Sequence, residues 1–356
     1  MDRAKPLNIQ KNVPLAPLTT LKVGGPARFF VETRTEEEVH EALGQASLRG
    51  LEGFILGGGS NLLVADSGFD GLVVQIALKG IAAQPSVATA TNGEPTIITV
   101  QAGEDWDSFV EYCVDRDLAG IECLSGIPGF VGGTPVQNVG AYGQEVSETI
   151  VSVRCLDRES LNVVTLSKDD CGFSYRKSIF NSTLRFRFVV LSVTFALKPS
   201  GEPKIVYKDL KEHFAGRLPS LAETRAAVLN IRTAKSMVID PEDPNSRSAG
   251  SFFKNPIVER SMLEQIAEAA SVDAVPHFDV GDDMVKVPAA WLIEQAGFYK
   301  GYTMGNAGIS ANHSLALINR GGASAREIVE LKDRIICTVE EMFGMTLIPE
   351  PVFIGF

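Results

Sequence analysis

Two glycine-rich stretches carry the clearest chemical signal in this chain. The longer one opens on Gly126, Ile127, Pro128 and Gly129, continues through Gly132, Gly133, Gln137 and Asn138, and closes on Gly140, Tyr142 and Gly143. So much glycine and proline excludes an ordinary helix or strand. Glycine tolerates positive φ and has no Cβ, so backbone N–H groups can close on phosphate oxygens or a flat heterocycle. A nucleotide cofactor is one reading and a long structural loop is the other. The shorter stretch, Gly57-Gly58-Gly59-Ser60-Asn61, follows the apolar run Gly53–Leu56 and precedes Leu62–Asp66, which makes it a tight turn between two strand-like segments. Neither stretch is a dinucleotide fingerprint, because Gly59 leads into Ser60, Asn61, Leu62 and more strand rather than a helix. Neither contains the Gly-Lys-Ser/Thr of a P-loop. A dinucleotide would therefore lie between two loops instead of on one helix N-terminus.

Three further segments have unusual composition. Phe173-Ser-Tyr-Arg-Lys-Ser178 sets Arg176 beside aromatics, Ala249-Gly-Ser-Phe-Phe-Lys-Asn-Pro256 sets Ser251 between a glycine and two phenylalanines, and Pro349-Glu-Pro-Val-Phe-Ile-Gly355 carries Glu350 in an apolar run. Taken singly, Arg176 reads as a surface ion-pair residue, Ser251 as a turn cap without a G-x-S-x-G context, and Glu350 as a solvated charge.

At 356 residues the chain is long enough for two or three domains, and its 45% hydrophobic and 22% charged content is that of a soluble protein. A net charge of −11 argues against nucleic acid or an anionic membrane as partner. No apolar stretch has membrane-spanning length, and Met1–Asn8 lacks the core of a signal peptide, so a cytoplasmic location is expected. Cys113, Cys123, Cys155, Cys171 and Cys337 are odd in number and widely spaced, and read as small core residues. Four scattered histidines leave little for a metal site, and none is expected.

The elements that must position these residues alternate at first. Ala27–Glu32, Gly71–Ile76 and Thr96–Gln101 read as strands, Thr35-Glu-Glu-Glu38 as a capping box opening a helix toward Gly50, and Asp105–Asp117 as a helix. Ala82–Pro95 reads as a surface connection. Strand-like runs return at Val151–Leu156, Asn162–Leu166 and Arg185–Leu197. From about Leu218 helices dominate: Ala222–Thr233, a capping box at Ser261–Glu264, Pro288–Ala296 stopped by Gly297, and a box at Ser324–Glu327 opening a helix to Gly344.

In order and together, Thr20-Leu-Lys-Val-Gly-Gly-Pro-Ala27, Leu56–Asn61, Gly126–Gly143, Ser174–Ser178, Gly250–Pro256 and Glu350–Gly355 are similar to the motifs of the UDP-N-acetylenolpyruvoylglucosamine reductase family, over nearly the whole chain. The resemblance implies an α+β chain with an FAD-binding fold of the vanillyl-alcohol-oxidase type. It implies a first FAD subdomain over 1–75, with the C-terminal strand 345–356 as a candidate to complete it, a second over 76–215, and a substrate domain over 216–344. It implies noncovalent FAD cradled by Gly57–Asn61 and Gly126–Gly143, and NADPH as hydride donor. Arg176, Ser251 and Glu350 match the catalytic positions. Tyr207, Arg232, Lys235 and Asn255 match contacts to a nucleotide-sugar substrate, and Tyr207 implies the subtype whose tyrosine-bearing loop closes over it. A monomer acting on a small molecule is expected.

The chain departs from the family where Ile348 and Val352 flank Glu350 in place of charged residues, and where Thr134 replaces an alanine before Pro135. Two other readings compete: an FAD-linked oxidase of the same fold superfamily, and a UDP-sugar-binding protein without turnover.

Overall fold

The computed structural model describes residues 7–83 and 94–356. Most of the expected Ala82–Pro95 connection, and most of Met1–Asn8, lie outside the described residues. The chain divides into two compact units: Met1–Val13, Ala27–Gly58 and Asp70–Ala234 form the first, and Pro14–Pro26, Gly59–Phe69 and Lys235–Phe356 the second.

In the first unit, one sheet orders Gln10–Pro14, Pro26–Thr33, Phe69–Ile76 and Gly53–Leu56, the last running parallel to Leu72–Gln75. A second, antiparallel sheet orders Val163–Ser167, Ile150–Asp157, Phe188–Pro199, Thr96–Gln101 and Ile81–Ala83. Phe188–Pro199 is rich in β-branched and aromatic residues and mostly buried, which suits the middle of a sheet. Helix α1 (Glu36–Leu48) starts where the Thr35 hydroxyl accepts the Glu38 N–H at 3.2 Å. Helix α2 (Trp106–Val114) starts where the Asp105 carboxylate accepts the Ser108 N–H at 2.9 Å, and it buries Trp106 and Phe109 against Phe195.

Helices α3 (Lys208–Phe214) and α4 (Leu221–Ala234) also belong to this unit. They bury Leu210, Phe214, Ala227 and Val228 with Cys123, so the break in composition near Leu218 is not a break in packing.

The second unit holds α5 (Met262–Ala270), α6 (Ala289–Gln295) and α7 (Ala325–Phe343), with two three-stranded antiparallel sheets. Its C-terminal strand Val352–Ile354 runs parallel to Leu62–Val64. The segments on either side of Gly57–Asn61 thus pair in different sheets. The Ser324–Glu327 capping box forms in both halves, and Gly344 ends α7 at φ +66°. The box at Ser261 does not form: Ser261 is itself in the helical region, and its hydroxyl donates to Glu259 at 3.3 Å. Four cysteines are buried as expected, but Cys337 lies on the exposed side of α7. No helix of the described residues is long and apolar enough to cross a membrane.

Candidate active site

Within the first unit, Gly58 of the shorter glycine stretch meets the longer one. A Cβ built on Gly58 would lie 2.7 Å from the Cα of Gly129, so Gly58 must be bare for the turns to touch. A Cβ on Gly132 would meet Ala102 at 2.6 Å, because Gly132 donates to the Ala102 carbonyl at 2.9 Å. Gly57 and Gly133 differ, since a Cβ there meets nothing within 4 Å. Gly57 and Gly133 therefore present bare backbone to open space, and Gly58 and Gly132 let the loops pack on protein. Open glycine backbone beside closely packed glycines leaves room for a flat or phosphate-bearing group to approach the main chain.

Three bonds tie the long loop to the turn bearing Arg176. Asn138, fully buried and at φ +44°, donates to the Ser174 carbonyl at 3.0 Å and to Glu145 at 2.8 Å. The Ser178 hydroxyl donates to the Val136 carbonyl at 2.6 Å. The Arg176 guanidinium donates to the Gly140 carbonyl at 2.6 Å. Ser174 and Lys177 exchange two backbone bonds of 3.0 Å, which puts Arg176 at the corner with φ +53°, a conformation unfavourable for arginine. The surrounding bonds hold it there.

Tyr142 stands at the far end of the loop, also at positive φ, with its ring edge-to-face on Tyr207 at 5.3 Å. Gly143 must be glycine, because a Cβ would come within 2.3 Å of Val206. Tyr207 is exposed at the N-cap of α3. Arg232 on α4 is buried; burial pushes its guanidinium down from the usual value, against the opposing pull of Tyr142 and Asp107. Tyr207, Tyr142 and Arg232 form one cluster.

In the second unit, Ser251 and Glu350 lie on neighbouring segments. The Glu350 N–H donates to the Phe252 carbonyl at 2.9 Å, Lys254 donates to the Ile348 carbonyl at 2.9 Å, and Phe253 pairs with Pro349. Ser251 and Glu350 are each half-buried. Phe252 and Phe253 are fully buried members of the core. Asn61 holds the same strand from the other side, donating to the Glu350 carbonyl at 3.2 Å and accepting the Val352 N–H at 3.0 Å. Gly59 is fixed by Thr20, whose N–H donates to its carbonyl at 3.1 Å and whose hydroxyl donates to the Ser248 carbonyl at 2.6 Å. Ser60 follows directly and is half-buried, as is Lys235 at the start of the C-terminal segment. Asn255 spends its side-chain carbonyl on the Ala289 N–H at 2.9 Å, the first residue of α6. Ile348 is 60% exposed, so its loss of charge relative to the family leaves no buried gap.

Sequence reasoning did not reach Thr20 as an anchor, nor Asp107, Glu122 and Arg225. Glu122, fully buried, accepts from the Gly120 and Lys204 amides at 2.7 and 3.0 Å and from Gln144 at 2.9 Å, closing the two ends of the long loop. The available signal was the spacing of Arg225 and Arg232, seven residues apart on one helix face.

Residues 27–166 match an FAD binding domain, and residues 241–354 match the UDP-N-acetylenolpyruvoylglucosamine reductase C-terminal domain. The chain is 45% identical to the UDP-N-acetylenolpyruvoylglucosamine reductase of Thermobifida fusca over 97% of this chain and 98% of that one. It is 41% identical to that of Mycobacterium tuberculosis over 98% and 96%. The crystal structure of the reductase from Thermus caldophilus superposes with a TM-score of 0.66 at 25% identity, over 98% of this chain and all of that one. With that identity along essentially its full length, the chain belongs to the UDP-N-acetylenolpyruvoylglucosamine reductase family.

Proposed function

We propose that this α+β flavoprotein uses FAD and NADPH to reduce the enolpyruvyl group of UDP-N-acetylglucosamine enolpyruvate to UDP-N-acetylmuramate, a step in peptidoglycan precursor synthesis. The observation that carries the reading is the meeting of Gly58 with Gly129, with Gly57 and Gly133 open to solvent beside them. A non-catalytic sugar-binding protein would not need that cradle.

When bound, FAD supplies to the substrate the hydride taken from NADPH. Addition at C3 of the enol ether leaves negative charge at C2, delocalised into the carboxylate, and this charge needs electrostatic stabilisation. Arg176 supplies a fixed positive group, and Glu350 a carboxyl group on the strand anchored by Asn61. Ser251 delivers the proton to C2; a hydroxyl is a weak acid, but an enolate of this kind is a strong base. Gly57 to Asn61 and the long loop, including Ile127, Pro128 and Gln137, hold the cofactor. Tyr207, Arg232, Lys235 and Asn255 bind the nucleotide sugar, with Tyr207 on the closing loop of the subtype inferred from sequence.

The cofactor part subdivides near residue 75, as the two separate sheets on either side of it suggest. The enzyme works as a cytoplasmic monomer, without nucleic acid or membrane as partner. The test is anaerobic: NADPH should bleach a bound flavin, and the enolpyruvyl substrate should restore its colour. A protein that holds no FAD after reconstitution would remove the basis of the reading, and reoxidation by oxygen alone would favour an oxidase.

A further inference from the structure

We propose that Asp107 is a positioning residue for the start of the flavin loop, held in place by Arg225; the inference rests on the functional reading above. Asp107 sits in the first turn of α2. Its Oδ1 accepts the Gly126 N–H at 2.6 Å and Arg225 Nη1 at 2.5 Å, and its Oδ2 accepts Arg225 Nη2 at 2.9 Å. Arg225 is buried and the Asp107 side chain is 32% exposed, so this two-pronged pair is partly shielded from water. Burial disfavours the ionised carboxylate, yet the Arg225 guanidinium and the Gly126 amide together hold the Asp107 carboxyl below its usual range.

A partly buried ion pair contributes little net stability compared with apolar residues of similar size, so its main consequence is geometric. Gly126 begins the segment that brings Gly129 against Gly58. At the other end of the same loop, Tyr142 acts on Arg232, two turns along α4 from Arg225. Helix α4 therefore grips the loop near both ends. Without the Asp107 carboxylate the Gly126 amide loses its acceptor, and the loop is free to leave the geometry that the cofactor needs.

The test is FAD titration of apoprotein by fluorescence quenching, with visible circular dichroism of the bound flavin and Tm of the apoprotein. Asp107→Ala should raise the FAD Kd by about 10- to 100-fold, the scale of a hydrogen bond to a charged group, and alter the visible dichroism. Asp107→Asn keeps an acceptor for Gly126 and should recover much of the loss. Wild-type Kd and dichroism in Asp107→Ala would overturn the proposal. Should that variant not fold, Arg225→Lys decides, since lysine keeps the charge but not the fork: a severalfold rise in Kd with altered dichroism supports the proposal, and wild-type values in Arg225→Lys overturn it. Absence of FAD binding by the wild-type protein would overturn the functional reading, and this inference with it.

Discussion

The guanidinium of Arg176 is bonded to the carbonyl of Gly140 at 2.6 Å, so the positive charge assigned to the substrate is tethered to the loop assigned to the cofactor. Lysine cannot reproduce a planar fork that serves one carbonyl while presenting a second edge. Arg176→Lys should therefore slow reoxidation of reduced flavin by the enolpyruvyl substrate by about 10²- to 10³-fold, the scale of one lost electrostatic donor. Reduction by NADPH should stay near normal. Stopped-flow on each half-reaction checks this, and an equal loss in both would place Arg176 in cofactor binding alone.

The glycines fall into two classes with different expected phenotypes. Gly58→Ala introduces a Cβ at 2.7 Å from Gly129 and should cost about 1–3 kcal/mol of apoprotein stability. A Cβ at Gly57 or Gly133 meets nothing within 4 Å, so Gly57→Val and Gly133→Val should leave apoprotein Tm nearly unchanged while weakening FAD binding. Differential scanning fluorimetry with and without FAD separates the classes. Undiminished FAD affinity in both valine variants would assign those two positions to plain surface.

Tyr207 is exposed, and its ring meets that of Tyr142 edge-to-face at 5.3 Å. Tyr207→Phe should raise KM for the UDP-sugar more than it slows flavin reduction by NADPH. If both half-reactions suffer alike, the tyrosine does not belong to the substrate.

Much of the local structure is legible in sequence because it depends on bonds over three or four residues. Thr35, Asp105 and Ser324 cap the helices they precede, and Gly297 and Gly344 end theirs. Ser261 has the same pattern but fails, because its own backbone is already helical and its hydroxyl turns to Glu259. Helix α3 escapes a reading by pattern, being seven residues long and capped by Tyr207 without a side-chain bond. The Asp107–Arg225 pair spans 118 residues, and nothing local to either residue announces it. The glycine stretches are legible as turns and loops, but which glycines face protein and which face open space is decided by Gly129 and Ala102.

Asp107 also gives an acid-limb expectation. Its carboxyl is held below the usual range, so its contribution to stability is complete above the unfolded value of about 3.9 and is lost as pH falls through the lower folded value. Arg225, Arg232 and Glu111 are the charged groups around it. Asp107→Asn should flatten the fall in Tm below about pH 4. A wild-type acid limb in that variant would show that other carboxylates control it.

Proton delivery by Ser251 is tested most directly by anaerobic stopped-flow on Ser251→Ala, taking the two half-reactions separately. Ser251 is half-buried on a segment fixed by the bonds of Phe252 to Leu315 and Glu350, so loss of the hydroxyl should leave the fold, FAD binding and reduction by NADPH intact. Reoxidation by the enolpyruvyl substrate should fall by about 10²- to 10⁴-fold, the contribution of a positioned general acid, and Ser251→Cys should recover part of it. Reoxidation of Ser251→Ala at the wild-type rate would contradict proton donation by Ser251 and leave it as a turn residue beside two core phenylalanines.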